Sequence, residues 1–244
     1  MREPRGRCGI VAGHPQGMIL GEITMLWYHI TVLGGLNVTA LGALAIAIWL
    51  GAARCWRLAL AWCLLFGGAM LLTVASQVAF LGWGIGIQNL DFAGFSGHAT
   101  RAAAVFPVAF FLLLEGEDRR LRAAGVAFGF AIAVAVGASR VQIGAHSASE
   151  ALLGLLLGLA VTLLFIARAN AAKQFVPSPL LVGLSLVILL VPKAEPANAH
   201  LWVVRIALAV SGHERPYTKQ TWAVARAYAD RLEELRRAAG GRGE

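Results

Sequence analysis

Residues 58–90 read LALAWCLLFGGAMLLTVASQVAFLGWGIGIQNL, a run without one Asp, Glu, Lys or Arg. About 20 apolar residues suffice to cross a bilayer, so this stretch can span with length to spare. Its character changes midway. Leu58–Val78 is almost wholly apolar and reads as a span; Ala79–Phe95 collects Gly, Asn, Gln and aromatic residues and reads as a loop or half-buried segment.

The whole chain has the same bias. Of its 244 residues, 58% are hydrophobic and 14% charged, and the mean hydropathy is +0.70. An average soluble domain carries roughly 25% charge, and a globule this small must turn much of its surface to water. The composition excludes an ordinary soluble enzyme, a disordered chain and a secreted disulfide scaffold. It leaves an integral membrane protein of one domain, an all-α polytopic helix bundle.

Other charge-poor runs complete the bundle. Ile23–Ala53 also lacks charge from end to end but is interrupted by Gly34, Gly35 and Asn37. The first span is placed at Leu36–Ala52, with Ile23–Leu33 as a separate interfacial helix carrying Trp27 and Tyr28. Further spans are expected at Gly97–Leu114, with a kink at Pro107, and at Ala123–Ala138, Ser149–Ala167 and Phe175–Pro192. Gly154 and Gly158 form a small-xxx-small pair suited to close helix packing. Ala199–Val210 is too short to span and reads as interfacial; Thr218–Ala239 reads as amphipathic, with Ala225, Tyr228, Leu232 and Leu235 on one face. The expected organisation is an N-terminal segment over 1–35, a six-span membrane domain over 36–192 and a basic tail over 193–244. Residues 1–20 have no contiguous apolar core, so no cleaved signal peptide is expected.

The chain has 18 Arg and 3 Lys, for a net charge of +8. These residues flank apolar runs, and no nucleic-acid motif accompanies them, so no nucleic-acid partner is expected; the partner is the bilayer. Arg54, Arg57, Arg119, Arg120, Arg122, Arg168 and Lys173 fall on one side of the bundle, against Arg140 alone in the opposite loops. The excess of positive charge places that side in the cytoplasm and both termini outside. Nine Lys or Arg within 193–244 pull the tail the other way, and its side stays open. Cys8, Cys55 and Cys63 lack metal-ligand spacing, and Cys55 and Cys63, at or in an apolar run, read as packing residues; no metal or cofactor is expected.

The scarce polar residues gather at two span ends on the outward side. Ser96-Gly97-His98 enters the third span. Ser139-Arg140, His146 and Glu150 run from the fourth into the fifth. His146 and Glu150 are four apart, as neighbours on one helix face are. A carboxylate there fixes the imidazole tautomer and leaves the other nitrogen as nucleophile. The fork of Arg140 matches phosphate oxygens. Ser96 and Gly97 open a helix whose first N–H groups attract anions, and His98 can give a proton to a leaving alkoxide. Together these describe phosphoryl transfer through a phosphohistidine without metal. Glu150 also marks a functional place because a carboxylate entering a span is costly.

These residues resemble the type 2 phosphatidic acid phosphatase (PAP2) superfamily, whose motifs are written KxxxxxxRP, PSGH and SRxxxxxHxxxD. Ser96-Gly97-His98 matches the second, with Phe95 for Pro. Ser139, Arg140 and His146 match the third, with Glu150 for Asp. The resemblance covers about Gln77 to Gly158. It implies His146 as nucleophile, Glu150 as its orienting partner, His98 as acid, and Arg140, Ser96, Gly97 and Ser139 as phosphate ligands. It also implies a lipid substrate bearing a phosphomonoester or pyrophosphate: undecaprenyl diphosphate, phosphatidate, phosphatidylglycerophosphate or a lipid A phosphate. The Ala-, Gly- and Arg-rich composition without targeting extensions points to a bacterial inner membrane, and the charge asymmetry turns the site out of the cytoplasm.

The first motif is unmatched. Counting from Gln77, Gly84 and Ile85 stand where the family has Arg-Pro. A charge-assisted hydrogen bond contributes roughly 1.5–3 kcal/mol, so losing two cations lowers the expected rate by several powers of ten. Gln77, Arg101, Arg215 and Lys219 are the residues placed to compensate, the last two if the tail folds back over the site. A second Ser-Gly-His at Ser211–His213 is out of the family's order and reads as coincidence. Only two full spans precede the first motif, where the family has three. The competing function is a catalytically weak relative that binds phospholipid headgroups or a membrane partner; a small transporter is a third. Oligomeric state is not legible.

Overall fold

The computed structural model describes residues 25–172, 199–222, 224, 227, 228 and 230–232. The expected span Phe175–Pro192, the segment 1–24, and Ala225 and Leu235 of the tail lie outside the described residues.

The described chain is helical, without strands: α1 (25–33), α2 (Leu36–Ala52), α3 (Trp56–Trp83), α4 (Gly97–Leu113), α5 (Arg119–Gln142), α6 (Ala148–Ala172) and α7 (Ala199–Ser211), with a single 3-10 turn at Gln88–Leu90. Among the described residues, four stretches are long and apolar enough to cross a membrane: Met25–Ala52, Trp56–Trp83, Arg119–Gln142 and Ala148–Ala171. Large apolar side chains such as Leu64, Leu71 and Leu163 point outward, 66%, 71% and 57% exposed. An outward face of this kind is stable against lipid and unstable against water. The molecule is a membrane helix bundle.

Three helices run beyond the apolar windows that located them. α3 continues to Trp83, past the expected Val78; α5 starts at Arg119 and ends at Gln142 instead of Ala123–Ala138; α6 ends at Ala172 instead of Ala167. Apolar windows stop at the first charge, but Arg is a good helix former whose stem lies along apolar surface. The Asp118 carboxylate caps α5 by accepting from Leu121 N at 2.8 Å. Arg119, Arg120, Arg122, Arg140 and Arg168 are therefore helical rather than in loops.

The short helix α4, about 25 Å long, is the centre of the bundle. Twelve of its 17 residues are buried, including Ala99, Ala102, Ala103 and Ala104 at 0% exposure. It packs chiefly against α5 and α6. Between helices in lipid there is no hydrophobic drive, so close backbone approach supplies the attraction. A Cβ on Gly154 would lie 2.8 Å from Ser96 O, and one on Gly158 would collide with Thr100 O. Thr162, one turn further, donates to Ala103 O at 2.8 Å. The small-residue stripe of α6 thus lies directly on the α4 backbone. Where α4 meets α5, Gly129 lies against Pro107. At the other end of the bundle from Glu150, Trp62 stacks on Phe66, meets Phe165 edge-on, and donates to Ala43 O at 2.9 Å. Cys63, expected in packing, is exposed on α3.

Gly34 and Gly35 separate α1 from α2 by one turn, as expected, but α1 is not apart from the bundle. Its Ile30 and Leu33 pack with Ala102, Ala103, Ala133 and Val136. The break frees backbone groups, which inside a membrane must find protein partners. Arg101 of α4 supplies them: its Nη2 donates to Gly34 O at 3.2 Å and its Nε to Thr39 Oγ1 at 3.0 Å.

Candidate functional site: a histidine–carboxylate pair beside an open anion cradle

The loop between α5 and α6 carries His146. Its N–H and that of Ala145 both bond Arg140 O, which closes the end of α5 and sets His146 in the turn before α6. His146 is thus not on a helix face with Glu150. The two meet through a capping box. Ser147 caps α6: Glu150 N donates to Ser147 Oγ at 3.3 Å, and Ser147 N donates back to Glu150 Oε2 at 3.1 Å. The same Oε2 lies 2.8 Å from His146 Nδ1. A carboxylate only accepts, so Nδ1 carries the proton and Nε2 keeps its lone pair.

Glu150 is 3% exposed and fully partnered. Its Oε1 accepts from Ala93 N at 2.8 Å and lies 3.1 Å from Lys219 Nζ. Its backbone carbonyl accepts from Ser96 N at 3.1 Å. One residue therefore holds His146, the loop before α4, and the start of α4 itself.

Ser96 is the N-cap of α4, where a serine hydroxyl normally bonds the first turn. Here no side chain caps α4, and the fully buried Ser96 Oγ has no partner. Arg140 Nε is likewise buried and unpartnered, although Nη1 donates to Thr31 Oγ1 at 3.1 Å. Buried polar atoms are satisfied in the great majority of cases. Among the described residues, two buried donors, one at the uncapped N-terminus of α4, thus have no protein partner. Arg140, Arg101 and His146 all lie within electrostatic reach of His98, so both motifs converge on one place.

The other expected ligands are placed differently. Ser139 Oγ is buried and donates to Val136 O at 2.6 Å, within its own helix. Gln77 Nε2 donates to Phe95 O at 2.8 Å, and Phe95 N donates to Ser76 Oγ at 3.1 Å. A proline at position 95 has no N–H, so the Phe completes this clamp on the loop. Gln77 is thus a loop clamp rather than a free donor. Arg101 is held at the α1–α2 break. Arg215 is exposed and bonds no described residue. Lys219 does reach the site, on Glu150 and on Asp91.

Sequence reasoning missed Asp91, Ala93, Thr31 and Ser147. The Ser-x-x-Glu signature at 147–150 was legible. The other three act through position alone: Asp91 O accepts from Ser147 Oγ at 2.8 Å, a contact no local pattern announces.

At one end of a membrane helix bundle, a half-buried histidine is paired with a buried carboxylate, near the orphan donors Ser96 Oγ and Arg140 Nε. A family model for the PAP2 superfamily matches residues 84–174. An uncharacterized 22.5 kDa protein in the cps region of Klebsiella pneumoniae is 36% identical over 213 residues, which cover 81% of this chain and all of that protein. No solved structure matches. The chain belongs to the PAP2 superfamily.

Proposed function

We propose that the protein hydrolyses a phosphomonoester or pyrophosphate on a membrane lipid through a phosphohistidine at His146. The observation that carries this reading is the pairing of an oriented nucleophile with orphan donors. His146 presents Nε2 while Glu150 holds Nδ1, and Ser96 Oγ and Arg140 Nε are buried without partners.

In this reading the phosphate sits at the N-terminus of α4, bonded by Ser96, Arg140 and the first N–H groups of the helix. His146 Nε2 attacks phosphorus, and the bond to the lipid oxygen breaks. His98 gives that oxygen its proton. Water then attacks the phosphohistidine, with His98 taking a proton, and releases phosphate. Glu150 stabilises the positive charge on His146 during both steps. The substrates that suit a site at the membrane surface are undecaprenyl diphosphate, phosphatidate, phosphatidylglycerophosphate and lipid A phosphates. The basic loops support placing the site on the extracytoplasmic face of a bacterial inner membrane.

Phosphate release from these lipids in detergent, compared between wild type and His146→Ala, tests the proposal. Release lost in the variant supports it, as does a trapped phosphohistidine in wild type. No release from any of them by wild type overturns it. A second reading, headgroup binding without turnover, is favoured by the unmatched first motif and by the engagement of Gln77 and Arg101 elsewhere. It predicts lipid binding by both proteins and hydrolysis by neither.

A further inference from the structure

The tail returns to the end of α3. α7 turns Val203 and Ala207 onto α3, where Ala207 O and Ser211 Cβ lie over Gly82. Gly212, with φ +73°, ends α7. Beyond it, His213 Nδ1 is 2.7 Å from Gly82 O, Tyr217 N donates to Leu81 O at 2.9 Å, and Trp222 Nε1 donates to Gly84 O at 3.1 Å. The last carbonyls of a helix have no partner within it; here the tail supplies them.

The end of α3 is cut to receive it. A Cβ on Gly82 would lie 3.2 Å from Ser211, one on Gly84 2.9 Å from the Tyr217 ring, and one on Gly86 2.5 Å from the Trp222 ring. Gly84 also has φ +71°, which disfavours any side chain. Gly84 is the position at which the first motif has Arg. A side chain there and the docked tail exclude each other.

The docked tail delivers Lys219. Its ammonium has three N–H donors and three acceptors at 3.1 Å: Asp91 O, Asp91 Oδ2 and Glu150 Oε1. All three donors are engaged, so Lys219 holds protein groups rather than offering a vacant contact to phosphate. It faces the carboxylate oxygen that His146 leaves free, and a buried carboxylate is costly unless so paired.

We propose that the C-terminal tail replaces the first motif as part of the site, with Lys219 the positioning residue that fixes Glu150 and the loop before α4. The kinetic part of this rests on the phosphatase reading; the docking does not.

Two measurements test it. In a chain with its native cysteines replaced, Gly82→Cys with Ser211→Cys forms an intramolecular disulfide on mild oxidation, since a Cβ at 82 would lie 3.2 Å from Ser211 Cβ and a shift of a few tenths of an ångström brings the pair to the usual disulfide spacing. Failure to form it overturns the docking, whatever the activity. In Lys219→Met, kcat falls by about 10- to 100-fold while KM stays within about threefold. Lys219→Arg recovers most of the loss. Disulfide formation in the Lys219→Met background shows that this variant still folds and docks. Wild-type kcat in Lys219→Met, or a raised KM at unchanged kcat, overturns the positioning role. If wild type releases no phosphate, the phosphatase reading fails, the kinetic part fails with it, and the disulfide alone decides the docking.

Discussion

His146 Nδ1 and Glu150 Oε2 lie 2.8 Å apart across the N-terminus of α6, with His146 outside the helix and Glu150 in its first turn. The contact is therefore made by a helix cap. Glu150 accepts from Ser147 N with the same oxygen, so the group that starts α6 also orients the His146 ring.

Glu150→Gln separates these duties. The amide keeps the side-chain length and can still accept from Ser147 N, but it loses the charge that stabilises a cationic His146. Phosphate release is expected to fall about 100-fold or more, with a modest change in thermal unfolding in detergent. Glu150→Ala removes the cap as well and leaves buried donors unpaired. It should also lower stability, by about 1–3 kcal/mol. Equal melting of the two variants would contradict the capping role.

Ser96→Ala is expected to leave the melting temperature of the ligand-free protein unchanged or higher. Ser96 Oγ is buried and bonds no described residue, so its removal sacrifices no hydrogen bond. Affinity for vanadate or phosphate should fall about 5- to 10-fold, the worth of one hydrogen bond. A loss of stability without a loss of anion affinity would make Ser96 a structural residue.

Arg140→Lys keeps the charge and removes the fork. With Arg140 Nε unpartnered and Nη1 on Thr31, the Lys variant can serve only one of these places. Turnover is expected to drop about 10-fold or more. The same change at Arg101 should act on folding, because Arg101 bonds Gly34 O and Thr39 at the α1–α2 break. Measuring both variants for melting and for turnover distinguishes a ligand contact from a strut.

Gly158→Val should prevent correct assembly. Its Cβ would collide with Thr100 O and lie 2.6 Å from Ala103, in the tightest part of the α4–α6 contact. Overpacking of this kind costs about 1–3 kcal/mol or more, read as aggregation or a lowered melting point. Gly67→Ala is the control: nothing lies within 4 Å of its Cβ, and the helix gains up to about 1 kcal/mol.

Much of the bundle was legible because lipid imposes a simple pattern. Leu36–Ala52 was located to the residue, since glycines precede it and Arg54 follows. The ends of α3, α5 and α6 were not, because hydropathy registers charge and a helix does not stop for it. Within the site, the motif residues could be named, but their state could not. That Ser96 Oγ is unpaired, that Ser139 is spent on Val136, and that Gln77 clamps Phe95 are all consequences of packing. The Ser-Gly-His at 211–213 read as coincidence from its order alone. In space Ser211 and His213 are part of the tail's seat on α3.

The sequence by itself determined the solvent, the helical class and the two clusters that carry chemistry. Apolar run length and the rarity of charge leave few alternatives inside a bilayer. Tertiary structure alone decided that Lys219 of the tail meets Glu150. Lys219 stands far beyond Glu150 in the chain, with α6 and α7 between them, and no local periodicity relates the two. They meet because three alternate glycines at the end of α3 leave room for the tail, and because the open carbonyls of that helix end need partners there.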